Sequence, residues 1–309
     1  MILVPIGAIA RIQALARRLL WHLSQDEPTV AVTASALDES DTPWDLAPDL
    51  APIFGEGHAQ EDTRYWEALK AFNMRTPPDD WRDILVSEFI WISFLHLFLH
   101  ELVHIAAHHD RLLALARTKD PLIPQHLNLS RLRRGMEVQA DVVAAENLAR
   151  FLVLDPAANH QTSEAPEALF HKVSFALSAL FGMYDIHRKT VYEYDAGSYP
   201  HPIIRYEFVD EAFQTVMRDA RPDLVNIAQE HGMNGFVQCA HAFSALELHC
   251  MLGMYGRPSP GAQYGTERYV PITTLKYSEA PALRPRMIQD NRLFLEVADL
   301  SLQIAFGRN

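Results

Sequence analysis

This chain has few cysteines, no excess of basic residues and only short apolar runs. Two cysteines in 309 residues are too few for a disulfide framework, so the sequence predicts a cytoplasmic protein. Lys and Arg number 27 against 39 Asp and Glu, which gives a net charge of −12. Nucleic acids and anionic membranes bind basic surfaces, so both are excluded as expected partners.

Apolar runs are short, which predicts no transmembrane segment. The first run, MILVPIGAIA, ends at Arg11 and has no basic residue before it, the wrong order for a secretory signal. The run 89–99 has 11 residues and already contains His96. Leucines at 15, 19, 20 and 23 predict an amphipathic helix near the N-terminus, docked on the core or lying on a membrane.

Motifs for nucleotide binding and serine catalysis are also missing. No P-loop and no G-x-S-x-G occurs, and Gly55 and Gly57 lack the third glycine of a dinucleotide loop. Cys239 and Cys250, with histidines between them, would lie about 16 Å apart along one helix, too far to share an ion. We expect these two residues to be core cysteines.

The remaining pattern is helical, with segments separated by proline-marked loops, and predicts a mainly α fold with little β-sheet. The last part of the chain holds short β-prone pieces, RYVPITTLKY and NRLFLEVADLSLQIAF. The first predicted helices are 61–72, a long helix from 79 or 80 to about 109, and a helix from 130 to about 154 that Ser130 caps. The remaining predicted helices are 163–181, 203–219, 224–231 and 236–254.

Three regions follow from this pattern. Residues 1–60 are an N-terminal helix and an irregular acidic, proline-containing segment. Residues 61–255 form one helical core, and residues 256–309 form a C-terminal extension packed on that core. Nothing in the sequence indicates the oligomeric state.

The motif H-E-x-x-H occupies His100 to His104 within a predicted buried helix. Four helical residues advance about 400°, so the two imidazoles lie about 40° apart and can reach one metal ion. Glu101 lies beside the first ligand and can take a proton from a metal-activated water. The alternative is a pair of hydrogen-bonded core histidines. We expect His96 to be a hydrogen-bonded core residue, and His108 and His109 to form a solvated helix end.

A catalytic zinc ion needs a third protein ligand, and two candidates compete. Asp110 holds the last position of the extended metzincin pattern, but Ala107 replaces its glycine, so the helix should continue and carry Asp110 away. Glu137 and Asp141 share a helix face in GMEVQADVVAAENLA, where alanines allow close approach of another helix. Glu137 could supply a metal ligand, and Asp141 could hold a ligand histidine; the alternative is a solvated acidic face.

H-E-x-x-H followed by E-x-x-A-D on a later helix resembles the gluzincin metallopeptidases of the CAAX-prenyl-protease and HtpX-like class. The resemblance covers about residues 80–150, with a weaker general likeness to soluble phage-exclusion peptidases. It implies a zincin-like helical core and Zn²⁺ as cofactor. It also implies His100, His104 and Glu137 as ligands, Glu101 as the catalytic base and acid, and Asp141 as support for a ligand.

A third piece, SYPHPIIRYEF, is similar to the His-Pro motif and later arginine of that class. His201 is the candidate catalytic donor to the oxyanion, and Tyr199 and Arg205 are candidate substrate or oxyanion contacts. The alternative is a proline-rigid turn entering a helix, with Arg205 paired to an acid. In the class, the arginine usually comes later than it does here.

These expectations combine into a soluble zinc endopeptidase that acts on protein or peptide substrates, with specific targets in stress response or phage defence. Two alternatives differ in their need for Glu101 and for metal. A non-catalytic zinc-binding regulatory protein would keep the ligands without using Glu101. A helical interaction protein would bind no stoichiometric zinc.

Overall fold

The computed structural model describes residues 12, 16, 80–154, 165–184, 199–255 and 280–306. Of these residues 89% are helical and none is in a β-strand, which confirms the mainly α fold class. A π-helical turn, Arg150–Leu154, extends the third helix, and a 3₁₀ turn, Pro222–Leu224, precedes the sixth. The helices are α1 Asp80–Ala106, α2 His109–Thr118, α3 Leu129–Ala149, α4 Pro166–Tyr184, α5 Pro202–Ala220, α6 Val225–Tyr255 and α7 Ala280–Phe306.

Helix α3 lies at the centre, in contact with α1, α5 and α7. Its first turn is capped by Asn128, whose side chain accepts a hydrogen bond from the Arg131 amide at 2.9 Å, rather than by the expected Ser130. Ala140 and Ala144 are fully buried. Their small side chains let neighbouring helices approach α3 closely, as the sequence predicts.

Two hydrophobic clusters hold the described helices together. The larger cluster joins α1, α4, α5, α6 and the second half of α3. It also includes Ile12 and Ala16, both helical and buried, as expected of an N-terminal helix docked on the core. The smaller cluster joins α2, α7 and the first half of α3. Helix α3 therefore links both clusters.

The predicted continuation of the first helix to about His109 is wrong. Helix α1 ends at Ala106, and His108 adopts a left-handed conformation with φ 54° before α2 begins at His109. No glycine or proline marks this break in the sequence. The cause is tertiary packing, because α2 turns away to bury Leu112 completely in the smaller cluster.

The β-prone assignment of NRLFLEVADLSLQIAF is also wrong, because these residues lie in α7. Leu293, Val297, Leu300 and Ile304 are buried at spacings of four, three and four, which is one helical face. The face packs on α3 where Gly135 leaves room: a Cβ on this glycine would lie 2.7 Å from the Leu293 carbonyl oxygen.

Helix α6 is continuous, although the sequence predicted two helices separated near Gly232 and Gly235. Gly235 instead permits close contact with α4, since a Cβ there would collide with the His171 carbonyl oxygen. Cys239 is buried in the larger cluster, which confirms it as a core cysteine. The predicted helix 61–72, the piece RYVPITTLKY and the side chain of Cys250 lie outside the described residues.

Within the part of the chain that the structure describes, Ile84–Ala106 of α1 is long and apolar enough to cross a membrane. A core helix of a globular protein meets the same criterion. Helix α1 packs against α3 and α4, and Val86, Phe89 and Ile92 are buried in the larger cluster. The expected cytoplasmic location and lack of a transmembrane segment stay predictions.

Candidate metal centre

The two histidines of H-E-x-x-H converge on one point, as their helical spacing predicts. The Nε2 atoms of His100 and His104 lie 3.0 Å apart, and the ring centroids are separated by 4.7 Å. His100 is 6% exposed, whereas His104 is partly open to solvent. The pair therefore lies at the edge of the core, where a ligand can reach it.

Glu137 on α3 faces both imidazoles. Its carboxylate oxygens lie 3.5 Å from His100 Nε2 and 3.7 Å from His104 Nε2. Ligand atoms about 2.1 Å from a tetrahedral metal lie about 3.4 Å apart, so these three side chains fit a single ion. Asp110, the competing candidate, is exposed in the first turn of α2.

Asp141 supports His100 from the side away from this point. His100 Nδ1 donates to Asp141 Oδ1 at 2.9 Å, which leaves Nε2 directed at Glu137 and His104. Burial alone lowers the pKa of His100, but the hydrogen bond and charge of Asp141 outweigh it and raise the pKa to about 9. This is the carboxylate–histidine contact that orients metal ligands in proteins.

Arg205 on α5 joins both carboxylates. Its Nε and Nη2 donate to Asp141 Oδ2 and Oδ1 at 2.6 and 2.9 Å, and Nη2 lies 3.6 Å from Glu137 Oε2. Burial raises the pKa of Asp141, but the Arg205 charge and the bond from His100 hold it well below its usual range. Arg205, expected at the site as a substrate contact, pairs with an acid.

His201 and Tyr199 lie at the start of α5. His201 is 1% exposed and caps the helix, its Nδ1 accepting from the Ile203 amide at 3.1 Å. Burial, with the charges of Arg134 and Arg286, lowers the pKa of His201 to about 4. The Tyr199 side chain is exposed, and its carbonyl lies 3.5 Å from Arg134. Their roles in catalysis stay predictions.

Glu101, immediately after His100, has an exposed side chain. A base that must exchange protons with water needs this access, and neighbouring Leu102 is exposed as well. Leu102 therefore does not pack into the core as its apolar character suggests.

His109 is the site residue that the sequence does not reveal. The expected solvated position is wrong, because His109 is 2% exposed and its Nδ1 lies 2.6 Å from His104 Nδ1. Its Nε2 lies 2.9 Å from Gln139 Oε1. In the sequence, Gln139 stands between Glu137 and Asp141 of the second motif. Burial lowers the pKa of His109, despite the hydrogen bond to Gln139. His108 is exposed, as expected.

His96 is a core residue, as expected, but not a hydrogen-bonded one. It is 1% exposed, with its ring edge-on to Phe181, and neither ring nitrogen has a hydrogen-bond partner among the described residues. Its Nε2 lies 3.8 Å from Asp141 Oδ1, beyond hydrogen-bond distance. Burial lowers the pKa of His96, so a neutral ring packs behind Asp141.

No family model matches this chain, and comparison with curated proteins and with solved structures also finds no match. The likeness to gluzincins therefore rests on the two motifs and on the geometry that brings them together. Among the described residues, His100, His104 and Glu137 form a group that could hold a metal ion.

Proposed function

We propose that this protein is a zinc-dependent endopeptidase of gluzincin type. The single observation that carries the proposal is the convergence of His100, His104 and Glu137, whose facing atoms lie 3.0 to 3.7 Å apart. Two imidazoles and one carboxylate are a donor set that zinc takes in hydrolases. Glu101, which follows His100 in the sequence, supplies a general base that a purely structural site does not need.

A zinc ion held there would act as a Lewis acid that lowers the pKa of water to about 7 and polarises a carbonyl group. Glu101 takes the proton from the attacking water and passes it to the leaving amine. Asp141 and Arg205 act on the ligand residues in this scheme. They hold His100 and Glu137 in the geometry that ligation requires.

The oxyanion that forms during hydrolysis needs a hydrogen-bond donor. His201 is our candidate, with Tyr199 and Arg205 as further candidates. Because His201 Nδ1 accepts from the Ile203 amide, the neutral ring carries its proton on Nε2 and can donate from there. Arg205 is engaged by two carboxylates, so a role in binding substrate would compete with its role in holding the ligands.

The proposed substrates are proteins or peptides in the cytoplasm, cut at a few specific targets during stress or phage defence. The net charge of −12 gives no support for a nucleic-acid substrate. The regulatory alternative shares the metal site and differs only in the use of Glu101.

Cleavage mapping with the zinc-loaded wild type, Glu101→Gln and Glu146→Gln tests the proposal. Glu146→Gln is the control for the glutamate-to-glutamine substitution. Glu146 lies on α3, nine positions beyond Glu137. The wild type and Glu146→Gln should cut the same peptides, and Glu101→Gln should retain zinc and lose cleavage by about 100-fold or more. Zinc without cleavage in the wild type would favour the regulatory protein, and no stoichiometric zinc would favour the helical interaction protein.

A further inference from the structure

A chain of side chains runs from the second ligand histidine to the C-terminal helix. His104 Nδ1 lies 2.6 Å from His109 Nδ1, and His109 Nε2 lies 2.9 Å from Gln139 Oε1. Ser301 on α7 donates to the same amide oxygen at 3.4 Å. His109, Gln139 and Ser301 are all buried. The contact with His104 exists because the left-handed His108 ends α1 and starts α2 one residue later.

The chemistry of these atoms fixes the direction of the hydrogen bonds. An amide oxygen only accepts, so His109 Nε2 carries the hydrogen and donates to Gln139. A buried, neutral His109 then has a lone pair on Nδ1, which accepts from His104 Nδ1–H. The Nε2 lone pair of His104 therefore faces His100 and Glu137.

We propose that His109, held by Gln139, is the positioning residue that fixes the tautomer and ring orientation of His104. It would do for His104 what Asp141 does for His100. The proposal rests on the metal site of the proposed function and adds a second support built from neutral groups. It also gives Gln139 a role in the second motif, between the ligand Glu137 and the supporting Asp141.

Nitrogen-15 spectra of the imidazole rings in the metal-free wild type test the tautomer directly. We expect His104 to carry its proton on Nδ1 and His109 on Nε2. A wild-type spectrum with His104 protonated on Nε2 alone would overturn the proposal, whatever the protein's activity. This readout needs no substitution, so it does not depend on a variant that folds.

Zinc affinity, measured by competition with a chelating dye, tests the consequence. Partners of this kind contribute about 10–100-fold to metal affinity, so His109→Leu should bind zinc more weakly by that factor. His109→Asn should recover most of the loss, because its Oδ1 lies near the position of Nδ1 and accepts. His171→Leu is the matched control: His171 pairs with Gln238 at 2.9 Å on the exposed surface of α4 and α6.

Three outcomes separate this inference from the proposed function. Unchanged zinc affinity in His109→Leu, with the wild type binding zinc, contradicts the inference alone. Equal losses in the Leu and Asn variants would also contradict it, because the acceptor would then be irrelevant. A wild type that binds no zinc contradicts the metal site itself and this role of His109 with it.

Discussion

His100 and Asp141 stand 41 positions apart in sequence, yet the Nδ1 of one donates to the Oδ1 of the other at 2.9 Å. One belongs to H-E-x-x-H on α1 and the other to E-x-x-A-D on α3. This hydrogen bond joins the two motifs through His100 Nδ1. The other ring nitrogen, His100 Nε2, is left directed at Glu137. The candidate metal centre is therefore a product of the packing between two helices.

Asp141→Asn should lower zinc affinity by about 10–100-fold, because the amide cannot hold His100 with a full negative charge. Asp290→Asn is the matched control. Asp290 is equally buried and forms an ion pair with Arg134 on α3, which is not a residue of the candidate metal group. Both variants should lose stability, but only Asp141→Asn should lose zinc in a competition titration. An equal loss of zinc affinity in both would mean that general destabilisation is the cause.

Arg205→Met should cost about 3–5 kcal/mol of unfolding free energy in urea, because Asp141 would remain buried without the guanidinium that donates to both of its oxygens. Arg218→Met is the control, since Arg218 pairs with Glu211 on the surface, where an ion pair contributes about 1 kcal/mol or less. Similar urea midpoints for the two variants would show that Asp141 does not depend on Arg205.

Gly135→Ala should destabilise the fold by about 1–3 kcal/mol, because the added Cβ would lie 2.7 Å from both the Leu293 carbonyl oxygen and Val297. A Cβ added at Gly232 would have only Ser174 Cβ nearby, at 4.0 Å. Gly232→Ala should therefore gain up to about 1 kcal/mol of stability from helix propensity. Thermal unfolding of both variants checks this contrast. A stable Gly135→Ala would contradict the close contact of α3 and α7.

Acid should destabilise the protein partly through His201. The pKa of this histidine falls from 6.5 to about 4 on folding, because burial and two arginines disfavour the charged ring. The contribution of His201 to the free energy of unfolding is therefore complete above pH 6.5. It is lost as the pH falls toward 4, and the loss is at most about 3 kcal/mol. His201→Asn keeps a capping side chain and removes the titration. Its unfolding free energy should depend less on pH in this window; an unchanged slope would contradict the assignment.

The sequence predicted that His100, His104 and Glu137 lie together because the signals are local. Spacing of four residues places His100 over His104 and Glu137 over Asp141, and alanines on α3 indicate that another helix packs there. The same periodicity is present in Leu293, Val297, Leu300 and Ile304, but the aromatic and β-branched residues of this segment favoured a β-prone assignment for α7.

His109 could not be placed from sequence. Its contact with His104 depends on the left-handed conformation of His108, which histidine adopts more often than most residues but far less characteristically than glycine. The packing of Leu112 into the smaller cluster selects this conformation, and that packing is tertiary. The pairing of Arg205 with Asp141 is likewise set by how α5 lies on α3.

Zinc titration of wild type, Glu137→Gln and Glu146→Gln by dye competition tests the central claim most directly. Wild type and Glu146→Gln should each bind one zinc ion per chain. Glu137→Gln should bind it more weakly by a larger factor than the roughly 10–100-fold that supporting partners contribute. Identical binding by Glu137→Gln and the wild type, or no stoichiometric binding by any of the three, would contradict the account.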